Sequence, residues 1–367
     1  MMILFFLAVI LILVAVTYWY MRLPQFGRPP AGERFQLMQQ SPRFKKGKFE
    51  NLRFTPTLTE GYSMWGVIKK QLFAKLPRRR PTDSIPSIKT DLSQLPSNRN
   101  LLVWFGHSSY FMQIDEKRFL IDPVLSGNAS PLSGTARAFK GSDIYKTEDL
   151  PSIDYLLITH DHYDHLDYKT IRAIQSKVKQ VVCPLGVAGH LIRWGYDVKD
   201  IIEKDWNETT LLDAGFRITT LPARHFSGRG FTRNNTLWTS YLLQTPSLTV
   251  YIGGDSGYDT HFAEIGNKFP GIDVAILENG QYNPAWHAIH MLPPEVLKAA
   301  KDLRAKRLFP VHSSKFALAQ HPWDEPLKEV TRLNETDPIP LITPVIGSIV
   351  YLDDPGQQFE PWWTKIQ

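Results

Sequence analysis

The nine residues Thr159-His160-Asp161-His162-Tyr163-Asp164-His165-Leu166-Asp167 limit what this chain can fold into more than any other stretch. They follow the apolar run Tyr155–Ile158, which reads as a buried strand ending in a loop. Side chains two apart in an extended segment leave the backbone on one side, so His160 and His162 point together. Asp164 and His165 come directly after and can turn toward a neighbouring point. Four nitrogen and oxygen donors within six positions, with no thiol among them, suit Zn2+ or a similar first-row ion. A solvated polar loop is the alternative, but it gives no reason to gather three of the chain's 11 histidines at one strand end.

The 367 residues suffice to bury a core, and a hydrophobic share of 43% with 21% charged residues is that of a globular chain. The net charge of +6 is unevenly spread. Residues 1–98 hold 15 Lys and Arg against 5 Asp and Glu, whereas residues 99–367 hold 27 against 31. The excess of base therefore lies outside the part that carries the histidines. A nuclease is disfavoured, because a polyanionic strand calls for a basic groove, and no nucleic-acid partner is expected. The lone Cys183 excludes an intramolecular disulfide framework, and its place in Val181-Val182-Cys183-Pro184 predicts a small buried apolar residue on a strand.

Met2 to Tyr20 is an apolar run of 19 residues with Thr17 as its clearly polar side chain. At about 1.5 Å per residue it nearly matches a bilayer core of ~30 Å. Tyr18-Trp19-Tyr20 would lie at the interface. A cleaved signal peptide fits less well, since there is no basic n-region and no small-x-small site after the run. An uncleaved anchor in the cell membrane is expected over residues 1–22, and the Arg and Lys from Arg22 to Lys48 place the soluble part on the cytoplasmic side. Residues 23–98 form a basic, Pro-rich arm that includes Lys75-Leu-Pro-Arg-Arg-Arg80. Two readings are open for it: a solvated arm wrapped over the domain, or electrostatic contact with anionic headgroups. Trp65 and Phe73 either enter that interface or pack.

From about Asn100 to the C-terminus (residues 99–367) the texture is short strands and tight turns. Strands are predicted at 101–105, 110–114 and 118–121, with a turn at Asp115-Glu116-Lys117. A helix capped by Asp167 and carrying Ile171, Ile174 and Val178 follows the histidine motif, and a second covers Val187–Trp194. Further strands are expected at 217–221, 237–243, 248–252, 273–277 and 307–311, and a helix from Pro293. Two β-rich blocks with helices between them predict two stacked sheets covered on both outer faces.

The motif resembles the His-x-His-x-Asp-His signature of the metallo-β-lactamase superfamily, whose members are mostly hydrolases with two metal ions. The resemblance implies a four-layer α/β fold, the αββα sandwich, with later ligands at strand ends. His225 after Leu221-Pro-Ala-Arg, Asp255 within Gly253-Gly-Asp-Ser-Gly257, and His312 after Pro310-Val occupy such positions. It implies two Zn2+ ions, or other first-row divalent ions: one held by His160, His162 and His225, the other by Asp164, His165 and His312, with Asp255 bridging. Two cations about 3.5–4 Å apart make hydroxide available near neutral pH and clamp attacking and leaving oxygens.

A narrower resemblance rests on Trp104-Phe-Gly-His107-Ser-Ser, Leu120-Ile-Asp122-Pro-Val, Pro222-Ala-Arg-His225, Gly254-Asp-Ser-Gly-Tyr258 and His290-Met-Leu-Pro-Pro-Glu295. Over about residues 99–352 the chain is similar to the branch that contains N-acylphosphatidylethanolamine-hydrolysing phospholipase D. That implies a membrane phospholipid as substrate and makes Asp164 and His290 the catalytic candidates, His290 as acid or base or else a capping residue. His107 and Asp122 are read as residues that orient ligands, with a plain structural role as the competing reading. His190, His261 and His321 are read as structural or exposed. Rival functions are a hydrolase of a soluble lactone, ester or cyclic phosphate on the same fold, and a non-catalytic membrane-anchored scaffold.

Overall fold

The structure is a computed structural model that describes every residue except Lys75 and Ala214, and of Leu72 the backbone alone. Lys75, counted above in the basic run of the arm, thus lies outside the described residues. The chain opens with α1 (Met2–Tyr20), long and apolar enough to cross a membrane and with none of its residues buried. The arm then forms α2 (Glu33–Gln40), a small hairpin of β1 (Phe44–Lys45) and β2 (Lys48–Phe49), and α3 (Met64–Phe73). Much of it is packed rather than solvated. Met38 and Phe49 join Leu185, Trp206, Leu237 and Trp238 in a buried cluster, and Ile85, Leu92 and Leu95 are buried further on.

Two sheets follow. In the first, β3 (Leu101–Trp104), β4 (Tyr110–Ile114) and β5 (Lys117–Ile121) form an antiparallel meander. Next, β6 (Ile153–Leu157), β7 (Val178–Pro184) and β8 (Ile201–Lys204) extend it in parallel, with α4 (Tyr168–Ile174) and α5 (Ala188–Arg193) in the crossovers that parallel pairing requires. In the second, β9 (Thr209–Leu211), β10 (Arg217–Leu221), β11 (Ser240–Gln244) and β12 (Thr249–Ile252) are antiparallel. Its last two strands, β13 (Val274–Glu278) and β14 (Arg307–Val311), are parallel and follow α6 (His261–Lys268) and α7 (Pro293–Asp302) respectively. After α8 (Glu325–Asn334), β15 (Ile349–Tyr351) returns to pair with β3.

Alternation along each strand sends one set of side chains between the sheets and the other toward helices. Leu102, Trp104, Met112 and Leu157 meet Ile218, Leu243, Ile252 and Phe309 in the central layer. Leu101, Val103, Leu156 and Val181 instead face Ile171, Ile174 and Leu191 of α4 and α5, and Cys183 is buried there. On the other outer face Tyr251, Ala275 and Leu308 meet Phe262, Val296 and Val330 of α6, α7 and α8. Helix, sheet, sheet, helix is the expected αββα order.

Among the boundaries that differ from expectation, three have a clear physical reason. Val178 is not on α4 but opens β7, paired with Ile153, so its helical spacing from Ile174 is coincidental. The strand expected at 237–243 begins at Ser240, because Leu237 and Thr239 donate instead to Leu185 and Thr159 across the gap between sheets. The β4–β5 turn is Asp115-Glu116 alone, both left-handed (φ 46° and 65°), as the right-handed twist of a two-residue hairpin demands.

Candidate metal centre

Parallel pairing brings the carboxyl ends of β5 and β6 to one edge, and β10, β12 and β14 also share one direction. Every sequence-predicted ligand hangs from one of these ends. His160, His162, Asp164 and His165 follow β6, His225 follows β10, Asp255 follows β12, and His312 directly follows β14. Left-handed backbone turns the chain sharply at Asp122 (φ 40°) and His312 (φ 68°), and His107 (φ 54°) sits against the latter, its carbonyl accepting His312 N–H while its own N–H donates to the Ser313 carbonyl. Such conformations cost on the order of 1–3 kcal/mol each and collect at functional sites. Gly253 and Gly254 let chain pass chain: a Cβ on Gly254 (φ 59°) would lie 2.9 Å from Thr239 O and from Thr159 Cβ.

The side chains converge in two groups. His160 Nε2 lies 2.9 Å from His162 Nδ1, and His225 Nε2 lies 3.2 Å from the same atom. Beside them, Asp164 Oδ2 faces His312 Nε2 at 3.3 Å and His165 Nε2 at 3.7 Å. Asp255 stands between the groups. Its Oδ1 is 3.2 Å from His165 Nε2, and its Oδ2 is 3.4 Å from His312, 3.7 Å from His225 and 3.8 Å from His160. Three ring nitrogens of the first group crowd together, two of them within hydrogen-bond distance of His162 Nδ1, and His165 Nε2 and Asp255 Oδ1 are buried without a hydrogen-bond partner. A donor set of converging imidazoles and carboxylates with orphaned buried atoms fits a pair of divalent ions.

Each ring is held from behind. Asp122 Oδ2 takes His165 Nδ1 (2.8 Å) and the Thr159 hydroxyl (2.6 Å), and Thr159 Oγ1 lies 3.0 Å from His160 Nδ1. His225 Nδ1 meets the carbonyl of Ile289 (3.0 Å), and Asn51 of the arm pairs with both the N–H and the carbonyl of His225. His107 Nε2 donates to Asp164 Oδ2 (2.9 Å). The loop itself is tied down by the buried Arg229, which donates to the carbonyls of Asp161 (2.7 Å) and Leu166 (2.8 Å). Asp161 points away, taking Gly228 N–H and His190 Nε2.

Glu278, at the end of β13, was not picked out in the sequence. Its buried Oε2 takes His290 Nδ1 (2.5 Å) and His312 Nδ1 (3.2 Å), while Oε1 accepts Met291 N–H (2.6 Å). The available signal was a charged residue closing the apolar strand Val274–Leu277, the same signal that marked Asp255. His290 Nε2 is therefore the atom turned to the cleft. That cleft, ≈ 300 Å³, has His162, Asp164, Asp255, His290 and His312 for a floor, and Leu58, Met64, Val67, Phe226, Ile289 and Leu318 among its walls. A larger cavity of ≈ 560 Å³ at the foot of α1, beside Tyr20 and Arg137, holds none of these donors. His190 and His261 are buried structural residues, as is the largely enclosed His321, whose Nε2 accepts Gln281 N–H.

Burial lowers the proton affinity of His160, His162 and His225, well below the ordinary histidine value for the first and last. His107 falls to about 3 through burial and the nearby His312. Burial acts on His165 and His312 too, but Asp255 and Asp164 outweigh it, raising His165 well above its usual value and His312 to about 10. Burial would raise Asp164 and Asp255, but the adjacent histidines, His165 foremost, hold both carboxylates well below their usual range.

Comparison with known proteins agrees with this geometry. Residues 117–313 match the β-lactamase superfamily domain. The chain belongs to the metallo-β-lactamase superfamily. An uncharacterized protein of Mycobacterium tuberculosis is 36% identical over 329 residues, covering 89% of this chain and 88% of the relative. N-acyl-phosphatidylethanolamine-hydrolyzing phospholipase D 1 of Caenorhabditis elegans is 31% identical over 284 residues, 72% of this chain and 78% of the relative. In fold, the metallo hydrolase Igni18 of Ignicoccus hospitalis superposes with a TM-score of 0.54 at 20% identity, over 69% of this chain and 98% of that one. Membership of the superfamily makes the chain a metal-dependent hydrolase with a His/Asp cluster able to bind metal.

Proposed function

We propose that this chain is a membrane-anchored dinuclear zinc phosphodiesterase of phospholipase D type, acting on N-acylphosphatidylethanolamine-like phospholipids. The reading divides it into an anchor (1–22), an arm (23–98) and a catalytic unit (99–367), with the catalytic unit on the cytoplasmic side. The observation that carries it is the cleft, whose metal-ligating floor under apolar walls suits an amphiphile with phosphate at one end and acyl chain at the other. The similarity to a phospholipase and the apolar α1 support the same reading.

His160, His162 and His225 would hold one ion, Asp164, His165 and His312 the other, and Asp255 would reach both. Bound there, the ions supply a nucleophile from water at neutral pH and offset charge on the phosphate oxygens. His290, its Nδ1 fixed by Glu278, presents Nε2 to the cleft and would protonate the departing alkoxide there. Glu278 and Asp122 keep their imidazoles in one tautomer and one orientation.

Mass spectrometry of a phospholipid extract before and after incubation with the metal-loaded protein tests the substrate. Loss of an N-acylated phosphatidylethanolamine with gain of its phosphatidic acid is expected. His290→Ala should lower turnover by ~10²–10⁴ while metal content stays at the wild-type value. An unchanged extract, with turnover confined to a soluble lactone, ester or cyclic phosphate, would overturn the lipid reading. Removal of residues 1–22 should depress activity on vesicles far more than on a short-chain soluble analogue, since only the former depends on surface concentration.

A further inference from the structure

α3 carries large apolar side chains on its outer face as well as its inner one. At about 100° per residue, Met64, Val67 and Gln71 share one face, Trp65, Lys69 and Phe73 share the opposite one, and Ile68 lies on the flank between Gln71 and Trp65. The first face is turned to the protein: Val67 and Gln71 are half-buried, and Gln71 lies 3.4 Å from Gln320. The second faces out, with Trp65 71% and Phe73 75% exposed. A polar residue is thus held inside while two aromatic rings and Ile68 stand in solvent. Scattered exposed apolar residues are ordinary, but large aromatic rings grouped on one exposed helix face beside a binding cleft suit a docking surface.

Three observations identify what docks. The exposed face adjoins the catalytic mouth, because Met64 and Val67 on the inner side of the same short helix line the cleft beside His162 and His290. Lys69 and Lys70 sit on the helix and form no ion pair among the described residues, within an arm that carries 14 basic residues against 5 acidic. Tryptophan with lysine on one helical face is the chemistry of the headgroup region, where rings lie at the boundary and ammonium groups reach to phosphate. The helix is also fixed to the domain, capped by Ser63 Oγ accepting Gly66 N–H and preceded by Thr59, which bonds to Pro284 and Ala285.

We infer that α3 is a second membrane contact: an interfacial helix that lays Trp65 and Phe73 into an anionic phospholipid surface and seats the mouth of the metal cleft upon it. It rests on the reading that α1 holds the chain at a bilayer, and adds which side of the catalytic unit meets the lipid. A substrate could then move from leaflet to cleft along Met64 and Val67 without its acyl chains crossing water.

The test uses the full chain in nanodiscs of phosphatidylcholine and phosphatidylglycerol with brominated acyl chains. The native Cys183 is wholly buried, so a fluorophore can be placed by Trp65→Cys or Phe73→Cys, or by Lys69→Cys, which keeps both aromatic rings. Lys328→Cys, exposed on α8, is the reference. Bromine should quench the label at 65, 69 and 73 several-fold more than at 328. Quenching at 65 and 69 no greater than at 328 overturns the contact, even where the same nanodiscs are hydrolysed. Strong quenching without turnover of any lipid leaves the contact standing and removes the proposed lipid substrate instead.

Discussion

On one side of Asp255 stand three imidazoles, His160, His162 and His225, with no carboxylate of their own; on the other stand Asp164, His165 and His312, with His107 behind them. His160, His225, His165 and His312 are buried to the same degree, yet they hold protons in opposite ways. Burial wins in the first group and leaves neutral rings. In the second, Asp255 and Asp164 reverse it, and His165 and His312 act as counter-ions to the carboxylates. Neighbouring charge, not depth, sets the difference. An ion entering the first group meets three ready ligands, whereas one entering the second must displace protons.

The largest effects expected come from breaking the ligand set. The wild-type protein should bind about two ions per chain if both groups are filled. His162→Ala should leave one, as should Asp164→Ala, while Asp255→Ala, which touches both groups, should leave neither firmly bound. Turnover should fall below detection in all three, with the circular dichroism of the sheets retained. Elemental analysis decides it: two ions kept in Asp255→Ala would end the bridging assignment, and the comparison with it.

A smaller and more discriminating effect is expected at Asp122. It holds His165 directly but reaches His160 only through Thr159. Asp122→Asn should therefore weaken the second group's affinity by ~10–100-fold, the usual cost of losing such a support, and the first group's by less. Competition with a chelator of known affinity resolves the two steps. Equal weakening would mean that the groups behave as one unit.

The part of this centre that was legible in the sequence is the part whose ligands lie close along the chain or at the ends of apolar strands. His160 to His165 announce themselves by spacing, and β10, β12 and β14 end visibly at a histidine, an aspartate between glycines, and a histidine. Four-layer order followed from the same alternation of strands and helices. Glu278 was missed because one carboxylate after an apolar run is a weak signal until its two histidine partners are seen across 12 and 34 residues. The arm was missed for another reason. Its contacts, Asn51 with His225 and Phe49 with Trp238's cluster, are made by isolated residues without period, so charge and proline dominated the reading. α6 and α8 carry clear apolar faces but lie beyond the motif-bearing strands, and were passed over.

The subtlest expected difference between the two groups is in pH. His312 has a folded value near 10, above the ordinary histidine value of about 6.5, so its stabilising contribution in metal-free protein is complete below pH 6.5 and drains away as pH rises toward 10. His165 is raised as well and adds in the same direction. Chelator-treated protein should thus lose thermal stability between pH 6.5 and 10, and the loss should shrink in His312→Gln. Metal binding reads the same protons from the other side. At pH 7 the second group must release protons held by His165 and His312, so its affinity should climb with pH through the neutral range. The first group is already neutral there, and its affinity should be nearly flat. Calorimetry at pH 7 in buffers of different ionisation heat separates the two: one binding step should show a buffer-dependent enthalpy and the other should not. Proton release shared equally between the steps would mean that the carboxylates act on all the histidines alike, and the contrast drawn from their geometry would fall.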